Sequence, residues 1–92
     1  MIRSFKGRRT RRFFEGQRVA AFDGFSDQAV RRLTLLDSAE TLGDLAALGS
    51  NRLETLRGDR TGQYSIRINA QWRICFRWTD DGPYEVEIVD YH

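Results

Sequence analysis

Cysteine, histidine and proline each occur once in the chain, as Cys75, His92 and Pro83. One cysteine closes no internal disulfide, and one histidine gives no cluster at zinc-ligand spacing, so neither a disulfide framework nor a metal site is expected. Long apolar runs are also missing: no stretch approaches the roughly 18 residues of a membrane span. The opening MIRSFKGRRTRRFF lacks the apolar core of a secretory signal. These absences predict a cytoplasmic protein with no membrane contact and no cofactor. Lysine is nearly absent too, for among fifteen basic side chains only Lys6 is lysine.

What is present suffices for one compact domain spanning residues 1–92, with 40% hydrophobic residues and eleven aromatics to build a core. The net charge of +2 conceals an asymmetry. Residues 1–18 carry seven basic side chains against Glu15, residues 51–78 six arginines against Glu54 and Asp59, and residues 79–92 five acids with no lysine or arginine. A planar, permanently charged guanidinium suits bidentate phosphate contact better than an ammonium does, which favours a nucleic acid or an acidic protein as partner. A genome rich in arginine codons would leave the same composition.

Periodicity divides the chain in two. Met1–Phe5 alternates as a short edge strand. Arg8–Glu15 reads as a basic helix with Phe13 and Phe14 inward, stopped by Gly16. After a loop over 17–25, Ser26 is the expected N-cap of a helix to about Ala39, with Ala29, Val30, Leu33 and Leu36 on its apolar face. Thr41-Leu42-Gly43-Asp44 reads as one capped turn. Beyond Asn51 the period falls to two. Arg52–Leu56 is expected as a short strand. Tyr64, Ile66 and Ile68 form a hairpin with Trp72, Ile74, Phe76 and Trp78, and Tyr84, Val86 and Ile88 a last strand. The predicted fold is α+β, an antiparallel meander with two N-terminal helices on one face. Parity then puts Arg73, Cys75 and Arg77 on the opposite face, with Arg67 beside them. They form either a positive concavity or a solvated face. Cys75 is expected as a small filler, not a nucleophile.

The block NRLETLRGDRTGQYSIRINAQWRICFRW, the opening MIRSF and the closing EIVDYH resemble the HigB-type toxins of bacterial toxin–antitoxin pairs, within the RelE/ParE superfamily. The resemblance runs end to end. Its most specific parts are L-x-G-x-R-x-G-x-x-S-I-R-x-N-x-x-W-R across Leu56–Arg73 and the final D-Y-H. It implies a microbial-ribonuclease-like fold, cleavage of mRNA on the ribosome, and neutralisation by a HigA-type helix-turn-helix antitoxin, with DNA contacted only through that antitoxin. Asp90, Tyr91 and His92 match the family's functional triplet and Arg73 its phosphate-stabilising arginine. Arg57 stands where many relatives have lysine, and Glu54 where some have a catalytic histidine.

RNA cleaves itself when its 2′-hydroxyl is deprotonated and attacks the adjacent phosphate while a second group protonates the departing 5′-oxygen. A glutamate with its ordinary pKa of about 4.3 accepts a proton at neutral pH, and a histidine near about 6.5 donates one. Glu54 is therefore the expected base and His92 the expected acid. Arg73 and Arg57 stabilise the phosphate charge, and Arg60, Arg67 and Arg77 hold the backbone. Tyr91 stacks on a base or shares the proton relay, and Asp90 fixes the tautomer of His92 or anchors the tail. The alternatives are an ion pair for Glu54, core packing for Tyr91, and, for the whole chain, a ParE-like gyrase inhibitor or a catalytically weak RNA- or ribosome-binding relative.

Overall fold

The fold is taken from a computed structural model, which describes residues 1–91. The alternating half of the chain forms a four-stranded antiparallel sheet in the order β1 (Glu54–Thr55), β2 (Tyr64–Arg67), β3 (Trp72–Thr79), β4 (Gly82–Asp90). The meander follows from short connections: Asn69 closes the β2–β3 turn by accepting the N–H groups of Gln71 and Trp72 on its side-chain oxygen, both at 2.8 Å. The first segment lies parallel to the free edge of β4. Phe5 bridges Val86, and the N–H groups of Arg3 and Lys6 donate to the carbonyls of Pro83 and Val86 at 2.9 and 3.0 Å. This edge is thereby covered without a long strand.

Three helices pack on one face: α1 (Arg8–Phe14), α2 (Ser26–Ser38) and α3 (Leu42–Ala47). The core lies between them and Ile66, Ile74, Phe76, Val86 and Ile88. Residues 17–25, expected as a loop, contain a 3₁₀ turn, Ala20–Phe25, which buries Phe22 and Phe25. Phe22 meets Phe13, Phe25 and Trp72 at ring separations of 5.3–5.8 Å, and Phe25 meets Trp72 at 4.8 Å. Each such pair contributes about 0.5–1.5 kcal/mol beyond its burial. Thr10 of α1 is fully buried and its hydroxyl accepts the Ile88 N–H at 3.1 Å, which satisfies a strand donor through a helix side chain.

Several local expectations change. Phe14 stays 39% exposed and packs on Phe5, because consecutive helical residues cannot both face the core. Val30 is exposed, and Ser26 is the first residue inside α2, with no side-chain cap at its start. The strand expected over Arg52–Leu56 shrinks to Glu54–Thr55, since Arg52 adopts a left-handed conformation at φ 46°. In β4, one extra residue separates the pairs Cys75–Glu87 and Arg77–Tyr84, with Glu85 at φ 53°. This bulge switches the facing of the strand, so Tyr84 lies opposite Arg77, not in line with Val86 and Ile88. No helix among the described residues is long and apolar enough to cross a membrane.

Candidate active site

The register of the sheet arranges the face away from the helices. Glu54 pairs with Ser65, Ser65 with Cys75, and Cys75 with Glu87; one pleat along, Arg67 pairs with Arg73 and Arg73 with Val89. Cross-strand partners share a face. Arg73 therefore rises from the middle of the sheet, with Arg67 and Val89 on either side.

Arg73 is only 7% exposed. Its Nε donates to Ser65 Oγ at 2.7 Å, and its Nη2 to the carbonyl oxygens of Arg52 at 2.6 Å and Ser65 at 3.3 Å. The left-handed turn at Arg52 aims that carbonyl at the guanidinium. The remaining nitrogen, Nη1, lies 4.0 Å from Glu54 Oε1, and the ring of Tyr91 sits 5.8 Å from the guanidinium carbon. A buried charge is tolerable when its donors are matched, and two of the three guanidinium nitrogens are fixed by oxygen acceptors. The third faces a cleft of about 190 Å³ lined by Arg52, Glu54, Arg67, Asn69, Arg73 and Tyr91. The Glu54 side chain is 52% exposed, so its long ion pair with Arg73 is weak and leaves the carboxylate reachable.

The other expected site residues fall in three places. Arg60 and Arg77 share this side of the sheet but are engaged elsewhere. Arg60 donates to Gln63 at 3.1 Å and pairs with Glu87 at 3.5 Å, and Arg77 pairs with Glu85 at 2.6 Å. Arg57 is exposed in the β1–β2 connection and forms no ion pair among the described residues. Asp90 has the opposite parity to Tyr91 and accepts from Gln71 Nε2 at 3.0 Å, while the Tyr91 N–H donates to the Gln71 carbonyl at 2.8 Å. These bonds anchor the last strand to the β2–β3 turn. His92 lies outside the described residues. Cys75 is fully buried, and burial pushes its thiol above the ordinary range despite the nearby Arg60 guanidinium. A raised thiol suits a filler.

Two residues that support Arg73 are absent from the sequence-based set. Arg52 and Ser65 hold Arg73 in place. Ser65 could be found from parity, as the small polar residue opposite Cys75, whereas Arg52 acts through its carbonyl and leaves no signal in residue type.

A buried arginine whose Nη1 makes no hydrogen bond among the described residues, a reachable carboxylate and an exposed aromatic stand together on an antiparallel sheet backed by helices, in a small α+β domain. Its fold is shared with a solved YoeB–YefM complex from Staphylococcus aureus, at TM-score 0.63 and 22% identity over 100% of this chain and 98% of that one. The chain belongs to the HigB-like toxin family, RelE-like toxins of type II toxin–antitoxin systems, whose family model matches residues 3–92. It is 34% identical to Endoribonuclease HigB of Proteus vulgaris over the full length of both chains. It is 33% identical to Toxin HigB-1 of Vibrio cholerae over 87% of this chain and 86% of that one.

Proposed function

We propose that this toxin is an endoribonuclease that cuts mRNA on the ribosome, with no metal in the reaction. The observation that carries the reading is Arg73: a guanidinium held by Ser65 and Arg52, with Nη1 turned to a cleft where Glu54 is the neighbouring carboxylate. Such preorganised charge stabilises a phosphorane-like transition state without reorganising when charge builds. Glu54 takes the 2′-proton, the 2′-oxygen bonds to phosphorus, and the bond to the 5′-oxygen breaks as His92 delivers a proton to it. The products are a 2′,3′-cyclic phosphate and a 5′-hydroxyl. Tyr91, which is 37% exposed over Arg73, offers a ring on which a splayed base stacks. Arg67 takes an adjoining phosphate, and Arg57 reaches the substrate from the β1–β2 connection.

A HigA-type helix-turn-helix antitoxin restrains the toxin and supplies any DNA contact, a reading supported by membership of a toxin–antitoxin family. Mapping RNA 5′ ends after brief induction tests the activity. Wild type is expected to give new ends inside translated messages and Arg73→Ala none. Growth arrest with intact messages and accumulated DNA breaks would instead indicate a gyrase inhibitor.

A further inference from the structure

A second groove adjoins the catalytic cleft and, apart from Arg52 and Arg67, contributes no residue to the mechanism above. It encloses about 370 Å³ between the first turns of α2 and the β2–β3 turn. Gln28, Arg32 and Ser50 line it together with Arg52, Arg67 and Asn69, which also border the cleft. Arg52, Arg67, Asn69 and Ala70 border both spaces, so the two lie side by side across a shared ridge.

Arg32, Arg52 and Arg67 together give this groove a positive lining. Arg18, Arg60, Arg73 and Arg77 each face a carboxylate, whereas Arg32, Arg52 and Arg67 have no acidic partner among the described residues. Arg32 is also fixed in direction. Its Nη1 donates to Oδ1 of the buried Asn51 at 2.6 Å and lies 3.4 Å from Ser50 Oγ, and Asn51 is in turn tied by its amide to the Leu45 carbonyl at 3.0 Å. A guanidinium held at one nitrogen by neutral acceptors keeps its full charge and offers its other donors to a ligand.

We infer that this groove is a second phosphate subsite, in which Arg32 and Gln28 hold the nucleotide next to the one placed at Arg73, so that the RNA strand passes over the Arg52–Arg67 ridge from cleft to groove. The inference rests on the RNA reading of the cleft. Adjacency to the cleft, across residues common to both, favours a nucleic-acid strand over an acidic protein segment. The subsite gives the toxin a footprint longer than the scissile step, and aligning the strand there supplies orientation to the reacting phosphate.

The test is the length dependence of binding to 2′-O-methyl RNA, which cannot be cleaved, so the result is independent of catalysis. The full protein is titrated with a trinucleotide and with hexanucleotides extended on the 5′ or the 3′ side. Wild type is expected to bind one of the two hexanucleotides about tenfold more tightly than the trinucleotide. The salt slope is expected to steepen by about 0.7 for each added phosphate contact. Arg32→Ala removes most of that gain. Gln28→Glu does the same by placing a negative charge in the groove, without touching Asn51, and so separates lost binding from lost folding. A gain from length that survives in both variants overturns the subsite. So does a glutamate-rich peptide that loses affinity in the Arg32 variant while the RNA gain persists, an outcome that assigns the groove to an acidic protein. Length-dependent binding in a protein that yields no RNA cleavage would refute the endoribonuclease reading and leave the subsite standing.

Discussion

Arg73 is expensive to bury and is tolerated because its donors meet fixed acceptors. Lysine carries the same charge but has no planar fork with which to reach Ser65 Oγ and the Arg52 carbonyl together. Arg73→Lys is therefore expected to lower cleavage by about 10²-fold or more, near the loss seen when one oxyanion-type donor is removed. Single-turnover rates against RNA affinity would check this, with the loss in rate and not in binding. Glu54→Gln is expected to cost about 10²-fold in the same assay, and Glu54→His to retain activity. Full activity in Glu54→Gln would return Glu54 to its ion pair with Arg73. Much of this was legible at residue scale: alternation placed Arg73 and Arg67 on one face, and the resemblance singled out Arg73, Glu54 and Tyr91. The support was not. A left-handed φ at a non-glycine residue such as Arg52 arises from tertiary context and has no compositional signature.

Among the elements, the strands were easier to read than the helical layer. A period of two survives in β2 and β3, but the bulge at Glu85 changes the facing of β4 midway, so the alternation that groups Tyr84 with Val86 and Ile88 breaks there. The 3₁₀ turn Ala20–Phe25 escaped because six residues are too few to show a period, although Phe22 and Phe25 are central to the core. The edge of β4 offers a test. Gly82 has φ 119°, and a Cβ built there would lie 2.8 Å from the Met1 carbonyl oxygen. Gly82→Ala is expected to cost about 1–3 kcal/mol through strain and displacement of the first segment. In a domain of this size that lowers the melting temperature by about 4–8 °C per kcal/mol. Gly24→Ala, where a Cβ meets nothing within 4 Å, serves as the control and should melt close to wild type.

For the whole molecule, the division of labour is between a helical layer that closes one face of the sheet and a basic opposite face that stays partly open. Arginine in 14 of 15 basic positions, with Lys6 the exception, is consistent with a surface that meets phosphate at several points. Ion pairing narrows the set that is available: Arg60 and Arg77 are held by Glu87 and Glu85, which leaves Arg52 and Arg67 beside Arg73 at the cleft. Sequence parity could place Arg67, Arg73 and Arg77 on one face but could not assign partners to them or to Arg60, because Glu87 and Glu85 reach Arg60 and Arg77 only through the folded register. If this face cleaves RNA by attack of the substrate's own 2′-hydroxyl, the chemistry of the cut ends records it. In a translating extract, the purified protein is expected to leave 2′,3′-cyclic phosphate on the upstream fragment and 5′-hydroxyl on the downstream one, with both signals lost in Arg73→Ala. Fragments ending in 3′-hydroxyl and 5′-phosphate would contradict the account, since they require water to attack in place of the 2′-oxygen.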